Sequence, residues 1–275
     1  MFVLMKKIKN SMVDEFLKRY EEDYLYFNRI EDYDNKRAEI LQNKIINLSE
    51  LNIWLYKNVP SDPYTKFIFR GQNKVDLFYD YIFFNSLYIK TSYFDHSIAN
   101  NIIKLIVQKQ EKYLILDLRD NCGGSIEAAI AIIDCLVDPG VICSLDYRKK
   151  TILYRSEKNK IQFEKIYIFT NKNTMSSAEL LTMSLILSND NAYMIGNDTY
   201  RKGIGQISLF DRRTNINFSF FAFEWKINGK SIDELYEEAL IKGRILEVDE
   251  EAGYNDYMQV INTELESDSS YVYNL

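Results

Sequence analysis

Histidine is almost missing from the 275-residue chain, where His96 stands alone. A Ser-His-Asp triad would have to use that one residue. It lies in the stretch TSYFDHSIANN, which reads as a strand-to-helix connection, so its expected role is an ordinary polar one. Cysteine is nearly as scarce: Cys122, Cys135 and Cys143 are an odd number with no repeated spacing, which excludes a disulfide framework. No pair has the metal-binding CxxC spacing, and the three are expected as reduced thiols in or near a core. With 10 Gly and 3 Pro, the chain favours long regular elements over tight loops. It has no excess of positive charge: the formal charge is -6, with both signs interspersed, and this argues against nucleic acid as a partner. No stretch approaches the ~20 apolar residues of a membrane span. The first residues, MFVLMKKIK, are too short in their apolar part for a signal sequence, and their lysines follow that part instead of preceding it. A cytoplasmic protein is expected, with a removed leader left open.

What is present describes a globular chain. Hydrophobic residues make up 47% and charged residues 27%, far from a disordered balance, and 275 residues can bury a large core. Met12, Phe16, Tyr20 and Tyr24, then Ile40, Ile45, Ile46, Leu51 and Trp54, recur at helical spacing with charges between them, predicting two or three amphipathic helices. Pro60 and Pro63 close that region, and Asp62-Pro63 signals a turn. Beyond it the pattern changes. Residues 78–93, rich in Tyr, Phe and Ile, read as strand, and a helix follows through Ile98, Ile102, Ile103, Leu105 and Ile106. Short apolar strands at 113–116, 166–169 and 192–195 alternate with apolar helices at 126–136 and 178–187. That alternation is the signature of an α/β fold, a mostly parallel sheet covered by helices. Strands around 207–210 and 215–223 and helices over 231–241 and 255–265 complete the chain. The expected organisation is an N-terminal helical cap, residues 1–75, and an α/β core with C-terminal strands and helices, residues 76–275.

Three segments could carry chemistry. Asp117-Leu118-Arg119-Asp120-Asn121-Cys122-Gly123-Gly124 joins a strand to a helix, and its glycine pair lets backbone N–H groups point into open space, which suits an anion. By itself such a pair is usually a plain connection. Asn171 to Glu179 joins the next strand and helix, and Ser176 with Glu179 three residues later fits a capping box. A serine at a helix start can also be a nucleophile, because the following N–H groups are free to stabilise negative charge. Thr199-Tyr200-Arg201-Lys202-Gly203-Ile204-Gly205-Gln206 follows the third strand, and a lysine there is ordinarily a solvated surface residue.

Together these segments resemble the S41 peptidases, the C-terminal or tail-specific processing proteases. DLRDNCGG (117–124), SSAE (176–179) and TYRKGIGQ (199–206) stand in that family's order, and the Asp62-Pro63-Tyr64-Thr65 turn is similar to its Asp-Pro-His-Thr turn, with Tyr64 where His is usual. The likeness covers residues 60 to 225. It implies the related ClpP- or crotonase-like core fold, with Ser176 as nucleophile, Ser177 as its rival, and Lys202 as general base. It further implies Gln206 as the residue orienting that lysine, and the N–H of Ser177 with that of Gly123 or Gly124 as the oxyanion hole. Two departures stand out: Arg201 replaces the glycine usual before the lysine, and Cys122 sits where Gly or Pro is common. The helical start also leaves no room for the PDZ domain that many members carry.

A lysine base must be neutral, so its pKa has to fall by ~3 units from ~10.4, about 4 kcal/mol of environment. Burial among apolar groups and the absence of a carboxylate partner would supply it. The implied activity is a serine endopeptidase that cleaves peptides or unstructured protein segments through an acyl-enzyme, with no metal or organic cofactor. The alternatives are a catalytically silent peptide-binding protein and a Ser/Lys acyl hydrolase acting on a non-peptide substrate. The expected partner is a peptide or protein substrate, and a homo-oligomer is left open.

Overall fold

The computed structural model describes residues 7–42, 44–58, 62–69, 78–83, 85–157, 159–249 and 252–272. Pro60 and most of the N-terminal MFVLMKKIK stretch lie outside these residues. In chain order the first elements are β1 (Lys7–Lys9), α1 (Asn10–Asp23), a 3-10 turn (Phe27–Arg29), α2 (Tyr33–Ile40), β2 (Ile45–Asn47) and α3 (Leu48–Asn58). Next come β3 (Lys66–Phe69), β4 (Phe78–Phe83), β5 (Ser86–Thr91), α4 (His96–Val107), β6 (Tyr113–Asp117) and α5 (Ile126–Asp134). Strands β7 (Gly140–Tyr147), β8 (Lys150–Ser156) and β9 (Lys165–Phe169) lead to α6 (Ser177–Ser188) and β10 (Ala192–Ile195). The chain ends with β11 (Ile204–Asp211), β12 (Ile216–Lys226), α7 (Ile232–Ile241), β13 (Ile245–Leu246) and α8 (Tyr254–Val272). Among the described residues no helix is long and apolar enough to cross a membrane.

The chain divides into two compact units. The first comprises Met1–Lys74, Leu145–Ile152 and Ile204–Glu224; the second comprises Val75–Ser144, Leu153–Gly203 and Trp225–Leu275. In the first, α1 buries Val13, Phe16, Leu17 and Tyr20, the i, i+3, i+4, i+7 stripe of an amphipathic helix. These side chains join an aromatic core with β3 and β12: Phe67 stacks on Phe218 at 4.1 Å, and Tyr20 meets Phe220 edge-on at 5.5 Å. Strand β12 pairs antiparallel with both β11 and β3, and the β11 register shifts at Gly205/Gln206. Gly205 is required there, because a Cβ would lie 2.0 Å from the Phe223 ring.

The second unit is built on a six-stranded sheet in the order β13-β10-β9-β6-β5-β4. Strands β5, β6, β9, β10 and β13 pair in parallel, and only β4 is antiparallel. This is the mostly parallel sheet the short apolar strands predict. Tyr88, Ile115, Tyr167, Phe169 and Ile195 pack with Tyr257 and Ile261 of α8 on one face. Ile89 and Leu116, the alternate residues, line the side shared with Ile102 of α4, Ile132 of α5 and Leu181 of α6. Both faces are therefore covered, which is why these strands read as unbroken apolar runs. The strand expected over 78–93 is a hairpin instead: Phe83 pairs with Ser86, and Asn85 turns the chain at φ 62. Asn accepts the left-handed region more readily than other side-chain-bearing residues, so the turn needs no glycine.

Candidate active site

Strands β6, β9 and β10 are adjacent and parallel, so the loops leaving their carboxyl ends share one edge of the sheet. Open α/β sheets bind ligands at that edge. The three loops are the three segments singled out above, and they are tied together. Thr174 Oγ1 donates to the Leu118 carbonyl at 2.8 Å and Met175 N to the Asn121 carbonyl at 3.0 Å. Tyr200 N donates to the Thr174 carbonyl at 3.0 Å. Asp120 accepts from Asn171 Nδ2 (3.1 Å) and Asn173 Nδ2 (2.7 Å), a second staple between the first two loops.

The first loop is rooted by Asp117, which is fully buried. It accepts from Tyr88 Oη, Lys90 Nζ and Arg119, the last also lying 4.6 Å from the Tyr257 ring centroid. Burial opposes ionisation of Asp117, but the hydrogen bonds from Arg119 and Tyr88 outweigh it and hold the carboxyl below its ordinary value. The Asp-Leu-Arg motif is thus an anchor for the glycine pair that follows.

Gly123 takes φ +86, and a Cβ there would meet the Met175 carbonyl oxygen at 2.8 Å and Ser176 Cβ at 3.0 Å. The glycine loop and the serine loop are therefore in direct contact, backbone to backbone. Gly123→Ala is expected to displace the serine turn, destabilising the fold by about 1–3 kcal/mol and cutting any turnover severely; urea unfolding and an activity assay check this. Gly123 N already donates to Asn121 Oδ1 at 2.8 Å. Among the described residues the N–H groups of Gly124 and Ser177 donate no hydrogen bond. Of the two glycines left open by the sequence, Gly124 is the one with a donor to offer.

Ser176 occupies the N-cap of α6 with φ 60 and ψ -123, a conformation that L residues rarely adopt and that costs of order 1–3 kcal/mol. Such strain at a sharp strand-to-helix turn lifts a side chain out of the sheet edge. Ser176 is partly exposed, whereas Ser177 is 1% exposed and its hydroxyl has no hydrogen-bond partner. Only the former is open to a substrate as the chain stands.

Glu179 joins the serine to the lysine. Its carboxylate is fully buried and takes four donors. Oε2 accepts from Ser176 N at 2.7 Å and Lys202 N at 2.8 Å; Oε1 accepts from Thr199 Oγ1 and Arg201 N, both at 2.6 Å. The backbone nitrogens of Ser176 and Lys202 are thus no farther apart than two hydrogen bonds laid end to end. Burial raises the Glu179 carboxyl above its ordinary value against the pull of these donors. The sequence shows this residue only as the far end of a capping box, and nothing local signals the other two partners at Oε1.

Gln206 lies on β11 in the first unit, where its Nε2 donates to the Tyr64 carbonyl at 3.1 Å. Tyr64 belongs to the Asp62–Thr65 turn, closed by Asp62 Oδ1 accepting from the N–H of Tyr64 (2.8 Å) and Thr65 (3.0 Å). Two segments linked only by resemblance in the sequence therefore meet. His96 is exposed at the first position of α4, beside its N-cap Asp95. Of the cysteines, Cys143 is buried and its thiol is pushed up to about 12 by desolvation. Cys122 is exposed, contrary to the core placement expected of it, because it rides on the loop between Asp120 and Gly123.

The parallel sheet thus presents a strained serine turn at its carboxyl edge, in contact with a glycine loop. Residues 85–232 match the model of Peptidase family S41, and the chain belongs to that family. It is 30% identical over 116 residues to carboxyl-terminal-processing peptidase 1 of Arabidopsis thaliana chloroplasts, covering 40% of this chain and 23% of that protein. To the carboxy-terminal processing protease CtpA of Bacillus subtilis it is 33% identical over 107 residues, covering 38% and 22%. The chain thus spans under a quarter of the length of these relatives. A solved lipoprotein from Streptococcus agalactiae shares the fold, with TM-score 0.61, 14% identity, and coverage of 86% of this chain and 96% of that one.

Proposed function

We propose that this chain is a serine peptidase of the Ser/Lys type, acting on peptides or unstructured protein segments. The observation that carries the proposal is the single Glu179 oxygen shared by the N–H groups of Ser176 and Lys202. It holds a strained, accessible serine and a half-buried lysine on neighbouring backbone.

In this mechanism the neutral Lys202 amine takes the Ser176 proton as Oγ attacks the scissile carbonyl. The developing oxyanion accepts hydrogen bonds from the N–H of Ser177 and Gly124, at the positive end of α6. Collapse expels the amine, protonated by the Lys202 ammonium, and leaves an acyl group on Ser176. A water then attacks the ester, giving its proton to Lys202, and frees the serine. Gln206 keeps the part the resemblance gives it, orienting the lysine.

Labelling with a biotinylated fluorophosphonate tests this. The tag is expected on Ser176 in a peptide map, and Lys202→Ala should abolish it near neutral pH. A mass-spectrometric map of cuts in a peptide library would then define the substrate. Absence of both label and cleavage would instead support a silent peptide-binding protein.

A further inference from the structure

Arg201, the residue before Lys202, holds φ 60, a left-handed turn that residues with side chains seldom adopt. Its side chain is clamped. Nε donates to Asp198 Oδ1 at 2.7 Å, Nη1 lies 3.3 Å from Asp233 Oδ1 on α7, and the guanidinium sits 4.0 Å from the ring centroid of Tyr236, also on α7. Tyr236 is itself fixed by its hydroxyl, which donates to the Asn197 carbonyl. On the other side of the lysine, Gly203 lies against α7 so closely that a Cβ would come 3.2 Å from Ile232 Cγ2. The lysine segment is therefore held from two directions, by Glu179 and by the first turns of α7.

We propose that Arg201 is a positioning residue: its clamped side chain keeps the left-handed turn that aims the N–H groups of residues 201 and 202 at the two oxygens of Glu179, and so fixes where the Lys202 amine stands. This rests on the reading of Lys202 as the base. Without the clamp the turn rests on Glu179 and on the packing of Gly203 alone, and a freed residue 201 has ordinary backbone regions open to it. Were it to open, the two N–H groups would leave Glu179 and the amine would move toward water, where the neutral form that a base needs is least favoured. The two aspartates are largely exposed, so each ion pair alone is weak, and the hold comes from pairs and ring acting together.

Arg201→Ala, Arg201→Gly and Arg201→Lys distinguish this role from a merely structural one. The readouts are the rate of fluorophosphonate labelling at Ser176 across pH, cleavage of fluorescein-casein, and thermal melting. Arg201→Ala is expected to slow labelling roughly 10- to 100-fold and to move the acid limb of the pH profile upward, with little change in melting. Arg201→Gly, which takes φ 60 without strain, should lose less than alanine, and Arg201→Lys should recover part of the rate. An Arg201→Ala protein with the wild-type rate and pH profile overturns the proposal alone. So does a loss that merely follows unfolding, with all three variants melting early. A wild type that neither labels at Ser176 nor cuts casein fails at the underlying reading, and the proposal falls with it.

Discussion

Ser176→Ala is expected to fold as the wild type does and to lose peptide cleavage by roughly 10³- to 10⁶-fold, the range seen when a serine nucleophile is removed. The side chain is partly exposed and alanine inherits the same backbone strain, so the cost is that of the lost N-cap, about 0.5–2 kcal/mol of unfolding free energy. Ser177→Ala is the contrasting case. Its hydroxyl is buried without a partner, and deleting it removes an unsatisfied polar group, so stability should hold or rise by up to about 1 kcal/mol while cleavage persists. Assaying both variants on casein, with urea unfolding in parallel, separates the two serines. Cleavage surviving in Ser176→Ala and vanishing in Ser177→Ala would place the nucleophile one residue later and leave the strained turn without a catalytic purpose.

The sheet that carries these loops was legible because parallel strands covered on both faces must be apolar throughout. Runs such as Tyr113 to Leu116 and Ile166 to Phe169 admit little else at that length. The positions of the three loops follow from the parallel order. Other features were hidden for physical reasons. A positive φ at Ser176 or Arg201 leaves no mark in composition, since it is imposed by neighbours distant in sequence. Residues 78–91 turn at an asparagine within one aromatic-rich run, so nothing punctuates the hairpin. Strands β7 and β8 alternate too weakly to signal themselves. That 145–152 and 204–224 join the compact unit of the N-terminal helices is set by pairing partners, which a local pattern does not name. Glu179 is the instructive case: S-x-x-E is a common helix start, and only the return of the chain at 199–202 shows that the same carboxylate serves two loops.

That double use makes Glu179 the position where a conservative change should do most harm to the fold and the site together. Each carboxylate oxygen takes two donors, and three of the four are backbone N–H groups that cannot turn away. Glutamine keeps the shape but supplies one acceptor oxygen and an NH2 that confronts the remaining pair. The least costly placement sets the amide nitrogen toward Thr199, whose hydroxyl can rotate to accept, and keeps the oxygen for Ser176 and Lys202. Arg201 N then loses its acceptor. With one buried donor stranded, Glu179→Gln should lower stability by about 1–3 kcal/mol and slow turnover by roughly 10- to 100-fold as the lysine segment loosens. Glu179→Ala strands all four donors around a cavity and should abolish activity, with a loss of stability nearer 5 kcal/mol that leaves little folded protein. Urea midpoints for the two variants, read beside the rate of fluorophosphonate labelling, test the ranking. A glutamine variant as stable and as reactive as the wild type would mean that the two loops hold their places without this carboxylate, and the link between Ser176 and Lys202 would have to be sought elsewhere.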